Sequence, residues 1–226
     1  MKKSSIFVST EEARQIFTNS IKKMARICLE LDQIKRDMFA NPDFNSKKLF
    51  RMVDVNDQDR ISFEEFKKFL VKIGVNCKNQ DLLLDLFTSC DQGSKYYLKC
   101  SDFERLLFPI DRRVVREGAF NDRDFYRLTM NDVREMFEKQ VILRELLFNI
   151  RMDLSDQGID LEQVFEALDL ASSGYLLKDD IAKILEMDSR SSLEKRDGEV
   201  NLVCDLLDFD CDGRISFKDF FMTFSI

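Results

Sequence analysis

Histidine is absent from all 226 residues, which removes Ser-His-Asp and Cys-His nucleophiles and every histidine metal site. Prolines number two (Pro42, Pro109) and glycines seven, so little interrupts the apolar residues that recur at three- and four-residue spacing. Helix is expected to dominate. No apolar run approaches the ~20 residues that span a bilayer, and no glycine-rich phosphate loop occurs. The opening offers only Ile6, Phe7 and Val8 before polar residues resume, short of a signal h-region. Lys2 excludes N-myristoylation, and the final Phe-Ser-Ile carries no cysteine to prenylate. No membrane insertion is expected.

The six cysteines (Cys28, Cys77, Cys90, Cys100, Cys204, Cys211) stand singly, without C-x-x-C spacing, so reduced thiols in a cytoplasmic setting are the expectation. Lys and Arg total 35 against 42 Asp and Glu, a net charge of −7. That balance argues against a nucleic-acid partner and suits a cation or a basic partner. With 44% hydrophobic residues and 21 Phe, the chain can fill one large core or two ordinary ones.

Near the end stands Asp208-Phe-Asp210-Cys-Asp212-Gly213-Arg214-Ile215-Ser216-Phe-Lys-Asp219. Acidic residues at the first, third and fifth positions and glycine at the sixth are what a hard cation needs: oxygens wrapped round one point by a left-handed turn. This stretch resembles the calcium loop of the EF-hand superfamily. The same frame recurs at Asp54, Asp91 and Asp169, each with an apolar residue at the eighth position (Ile61, Leu98, Leu176), as Ile215 is here. In EF-hand relatives that position joins two loops by a short β-bridge. Apolar residues four and one before each loop (Phe50 and Val53, Phe87 and Cys90, Phe165 and Leu168, Cys204 and Leu207) mark the inner faces of entering helices.

The loops fall into two pairs, 54–65 with 91–102 and 169–180 with 208–219. A shift that lays Asp54 on Asp169 also lays Phe50 on Phe165, Leu31 on Leu146 and Arg36 on Arg151, an internal duplication. The expected fold is all-α: two tandem EF-hand pairs, each preceded by a long amphipathic helix, in modules 1–110 and 111–226. Ser9 and Glu12 form a capping box for the first helix, along which Phe17, Ile21, Met24, Cys28, Leu31 and Met38 recur. The second begins near Thr129 and carries Val133, Phe137, Val141, Leu143, Leu146, Leu147 and Ile150. These helices either cover their own EF-hand pairs or present a face to another protein.

In the last loop the frame assigns as ligands Asp208, Asp210, Asp212, the Arg214 carbonyl, Ser216 and Asp219, all oxygen donors. Asp219 is one methylene shorter than the family's usual glutamate, which weakens calcium and admits magnesium. The loop at Asp54 keeps oxygens through Asp54, Asn56, Gln58, the Arg60 carbonyl, Ser62 and Glu65, with Asp59 in the glycine position; weaker binding is expected. At Asp91, Lys95 brings an ammonium to a ligand position and Tyr96 replaces glycine. At Asp169, Ala171 and Leu177 remove two donors, while Gly174 and Asp180 are kept.

The resemblance implies a calcium-binding, non-enzymatic regulatory module for a protein partner, a helix or helical assembly. The alternative is a structural adaptor of a cytoskeletal or axonemal assembly with vestigial hands. Calmodulin-like proteins share the four hands, and calcyphosin-like and axonemal EF-hand proteins are loosely similar, which adds a cytoskeletal or ciliary location to the cytoplasmic one. The nine Met read as core filler or an adaptable groove, and Arg112, Arg113 and Arg116 as a basic helix surface.

Overall fold

The computed structural model describes residues 10–91, 93–109, 129–186, 193–208 and 212–224. The Ser9 capping residue, Asp210, Cys211 and the Arg112, Arg113, Arg116 cluster lie outside the described residues. The architecture is all-α, with strands only two residues long. Helix α1 (Thr10–Ala40) leads to α2 (Ser46–Val53), β1 (Ile61–Ser62) and α3 (Phe63–Lys72), then to α4 (Gln80–Thr88), β2 (Tyr97–Leu98) and α5 (Cys100–Leu107). Helix α6 (Thr129–Asp156) leads in the same way to α7 (Leu161–Leu168), β3 (Tyr175–Leu176) and α8 (Lys178–Glu186), then to α9 (Leu193–Leu207), β4 (Ile215–Ser216) and α10 (Phe217–Phe224). Strands β1 and β2 pair antiparallel with Ile61 opposite Leu98, and β3 pairs with β4 with Leu176 opposite Ile215. The eighth-position residues thus bridge the loops as their spacing predicts. No helix among the described residues is long and apolar enough to cross a membrane.

The short helices start and stop for local reasons. Asn45 caps α2 by accepting the Lys48 N–H, and Ser62 with Glu65 forms a capping box at α3. The entering helices end where the first loop residue donates its N–H back to the preceding turn, Asp54 to Phe50, Asp169 to Phe165 and Asp208 to Cys204. Of the eight residues expected on their inner faces all are buried except Cys204, which is half-buried.

Packing divides the chain into two compact units, Glu30–Arg144 and residues 1–29 with 145–226. This does not coincide with the division into 1–110 and 111–226 read from the sequence. Each long helix gives a part to each unit. In the Glu30–Arg144 unit one core joins Leu31, Met38 and Phe39 of α1 and Val133, Met136, Phe137 and Val141 of α6 to both helix–loop–helix elements. Phe137 is fully buried among Phe66, Phe69 and Phe103, with ring centroids 5.6, 6.3 and 6.5 Å away. In the other unit Phe17 of α1 is fully buried against Phe220 and Phe224 of α10, at 4.9 and 4.6 Å. There α6 contributes Leu147, Ile150 and Leu154 to the buried set, and the Arg151 guanidinium donates to the Thr223 carbonyl at 2.9 Å.

Heptad spacing accounts for this division of labour. Phe17, Met24, Leu31 and Met38 are all buried, as are Val133, Gln140, Leu147 and Leu154. A stripe repeating every seven residues keeps one face of a long helix buried along its length, with Gln140 as its polar member, donating to the Leu106 carbonyl at 2.8 Å. The stripe can therefore serve two cores in succession, which is why neither helix stays within one unit.

Candidate metal centre

The four loops share a backbone frame. The sixth-position residue is left-handed in every one: Asp59 (φ 54°), Tyr96 (φ 63°), Gly174 (φ 80°) and Gly213 (φ 86°). For Asp59 and Tyr96 that conformation costs roughly 1–2 kcal/mol, which the glycines avoid. The first-position aspartate holds the turn by accepting N–H groups of the fifth or sixth residue. Gln58 donates to Asp54 (3.1 Å), Tyr96 to Asp91 (2.6 Å), Ser173 and Gly174 to Asp169 (3.0 and 2.7 Å), and Asp212 and Gly213 to Asp208 (3.2 and 2.8 Å). The twelfth-position carboxylate accepts the N–H of the ninth residue, Ser62 to Glu65, Lys99 to Asp102, Leu177 to Asp180 and Ser216 to Asp219, at 2.9–3.0 Å.

Within this frame the side chains diverge. In the last loop Asp219 is buried, and both the N–H and the hydroxyl of Ser216 bond the same carboxylate oxygen, Oδ2. Asp212 Oδ1 accepts the Arg214 N–H at 2.8 Å, and the Arg214 guanidinium lies over the Tyr175 ring at 5.4 Å. Asp208, Asp212, Ser216 and Asp219 are thus tied to one turn, while Asp210 lies outside the described residues. No group of three or more carboxylates or thiols gathers among the described residues closely enough to hold a metal ion. The donors nevertheless suit a hard cation: every assigned ligand is an oxygen, and Gly213 supplies the turn without strain.

In the first loop Asn56, Ser62 and Glu65 converge. Glu65 Oε1 accepts from Asn56 at 2.9 Å, and Oε2 accepts from the Ser62 N–H and hydroxyl at 2.9 and 2.6 Å. Burial raises the Glu65 carboxyl, but these hydrogen bonds outweigh it and hold the group below its usual range. The sequence reading missed one handicap here: the Arg60 guanidinium donates to Gln58 Oε1 at 3.2 Å and so engages the oxygen assigned as a ligand. Two residues of opposite appetite at the fifth and seventh positions were the available signal.

The second loop supplies its own cation. Lys95 Nζ lies 2.7 Å from Asp102 Oδ2 and 3.8 Å from Asp91 Oδ1, bridging the first and twelfth positions. Burial raises the Asp102 carboxyl, yet the Lys95 hydrogen bond, the Lys99 N–H and the ammonium charge bring it below its usual range. Lys95 is raised in turn, mainly by its hydrogen bond to Asp102. In the third loop the Asp169 carboxyl is likewise lowered: burial pushes it up, and the loop N–H groups prevail.

No curated protein sequence matches the chain. Among solved structures, a crystal structure described as the C-terminal domain of another protein aligns over 89% of this chain and 88% of its own, at 13% identity and a TM-score of 0.25. Residues 159–223, which contain both C-terminal loops, match the family model described as an EF-hand domain pair.

Proposed function

We propose that the chain is a calcium-responsive regulatory protein whose cation is held in the last loop by Asp208, Asp210, Asp212, the Arg214 carbonyl, Ser216 and Asp219. The bound ion would supply charge neutralisation among these carboxylates, with magnesium as competitor because Asp219 is short. The first loop is a second, weaker site through Asp54, Asn56, Gln58, Arg60, Ser62 and Glu65.

One observation carries the regulatory reading: Asp219 and Phe220 are neighbours on α10, and Phe220 and Phe224 grip Phe17 of α1. Any change in what Asp219 bonds is felt at the α1 contact one residue away. A groove between EF-hand helices is the usual seat of a partner helix, and here Phe17 occupies that kind of seat. Loading the loop is read as loosening or tightening α1, and through it the access of a helical partner. Cys28, Cys77, Cys90, Cys100 and Cys204 are in no disulfide among the described residues, which suits a reducing, cytoplasmic setting; a cytoskeletal or ciliary location rests on resemblance alone.

A structural adaptor is the second reading. It is favoured by Lys95, which fills its loop permanently, and by Phe137, which occupies the core of the Glu30–Arg144 unit. Calorimetric calcium titration with magnesium present separates the two. The regulatory reading expects strong binding that Asp208→Ala abolishes and Asp91→Ala leaves intact. Because the chain has no tryptophan, Phe17→Trp gives a clean emission probe, expected to shift on calcium addition. Zero stoichiometry with unmoved emission leaves only the adaptor.

A further inference from the structure

A cleft of about 590 Å³ opens between the end of α3 and the start of α4. Its floor is apolar, formed by Leu70, Val75 and Leu83, and its rim carries Lys67, Lys68 and Lys78. The bend that shapes it is Gly74 (φ +87°), where a Cβ would lie 3.6 Å from the Arg134 side chain. Val71, at the edge, is 69% exposed.

The charge here runs against the rest of the molecule. No carboxylate lines the cleft, although the chain as a whole carries −7. Lys67 is offset by Glu64 at 2.7 Å and Arg134 by Glu138 at 3.1 Å. Lys68 and Lys78 are exposed and form no ion pair among the described residues. Two uncompensated ammonium groups therefore flank an apolar floor.

We propose that this cleft docks an acidic amphipathic segment of a partner protein, with apolar anchors on Leu70, Val71, Val75 and Leu83 and carboxylates facing Lys68 and Lys78. The volume falls within the ~300–1,000 Å³ of ordinary binding pockets, enough for a few anchoring side chains of a helix laid across it. An anionic bilayer is the poorer match, because its extended surface meets the whole chain of net −7, whereas a short segment meets only the carboxylate-free cleft. The position also separates this site from the cation loops. Helix α3 (Phe63–Lys72) lines the cleft from Lys67 onward, and none of the residues assigned as cation ligands is among the lining residues. Docking is therefore independent of calcium.

The test uses the full chain and a fluorescein-labelled peptide of about four helical turns, with Leu at helical spacing and Glu elsewhere, read by fluorescence anisotropy. Binding is expected to weaken at least about tenfold on Lys68→Glu with Lys78→Glu. Val71→Asp, at an exposed position that spares the fold, should weaken it too. Lys47→Glu, exposed but remote in sequence from the cleft, should change nothing, and affinity should fall between ~50 and ~300 mM salt but not with chelator. Circular dichroism confirms that each variant keeps its helices. The proposal is overturned if the peptide fails to bind, if a peptide with Gln in place of Glu binds equally, or if the double reversal behaves like Lys47→Glu. Sedimentation of the protein with phosphatidylserine vesicles, without peptide binding, would reassign the cleft to lipid and overturn it as well.

Discussion

Asp102 and Asp219 hold the same position in their loops, are equally buried at 3% exposure, and each accepts the N–H of the ninth residue. One faces the ammonium of Lys95; the carboxylate of the other accepts from Ser216 alone among the described residues. A single backbone frame thus admits two solutions to the same electrostatic problem, a cation carried by the chain or, as proposed for the last loop, one taken from solution. The first is permanent and the second can respond. That contrast distinguishes the two loop pairs, which otherwise share the same antiparallel bridge.

The largest effects are expected where the long helices enter the cores. Phe137→Ala and Phe17→Ala each delete a fully buried ring, and each should lower stability by ~3–5 kcal/mol, read as a fall in the urea midpoint. Hydrogen exchange should localise the loss differently. Phe137→Ala should expose amides of α3 and α5, and Phe17→Ala those of α10. Exposure of the same amides by both changes would break the assignment of the two helix halves to separate cores.

The next comparison is electrostatic. The Asp102 carboxyl is depressed below its usual range, so its contribution is complete above ~pH 4 and lost as pH falls through the depressed value. Lys95 is raised, so its contribution is complete below ~pH 10 and lost only as pH climbs through the raised value. Between these limits the pair stabilises evenly. In Lys95→Met the buried Asp102 loses its counter-ion, so stability should instead decline as pH rises through the carboxylate range. Urea midpoints from ~pH 3 to ~pH 9 test the reversal. A parallel pH profile for mutant and wild type would mean that the ammonium is not what fills the loop.

What was legible in the sequence follows the same physics. The loop frame was readable because its determinants are local: a carboxylate, a left-handed sixth residue and an apolar eighth lie within one short segment. Even Asp59 and Tyr96, poor residues for the turn, take the left-handed conformation there. Thr129 as the start of α6 was equally plain. The halves of α1 and α6 were not. A heptad stripe declares that a face is buried without naming what buries it, and the contacts of Phe17 with Phe220 span nearly the whole chain. Arg60 on Gln58 was signalled only by the residue types at the fifth and seventh positions, since the contact itself depends on a rotamer rather than on spacing.

Asp219→Glu sharpens the loop comparison at a smaller scale. The longer side chain can offer calcium a second oxygen, whereas octahedral magnesium gains nothing from it. One added ligand is worth ~1–2 kcal/mol, about five- to thirty-fold in calcium affinity. Under the regulatory reading the Phe17→Trp emission change should move to lower calcium by the same factor, because linkage is reciprocal. Unchanged affinity would remove Asp219 from the ligand set.

The smallest expected effect comes from the seventh positions, where the two loop pairs mirror each other. Arg60 lies 5.6 Å from the Tyr97 ring, and Arg214 lies 5.4 Å from the Tyr175 ring. Arginine comes from the first loop in one pair and from the second in the other. Tyr97 also has Lys95 over it at 5.4 Å, so among the described residues it is held by two cations and Tyr175 by one. An exposed arginine–ring contact contributes ~0.5–1 kcal/mol, which sets the expected cost of Tyr175→Leu. Tyr97→Leu should cost more, because it also releases the neighbour of the Lys95 bridge. The functional signs should differ too. The Arg214 carbonyl is an assigned ligand, and the guanidinium–ring contact steadies that residue, so Tyr175→Leu should weaken calcium about twofold. Tyr97→Leu should leave calcium binding at the last loop untouched. Equal calcium affinities in both variants, with equal losses of stability, would mean that the seventh-position contacts are surface ornament and that the last loop is ordered by Asp208 and Asp219 alone.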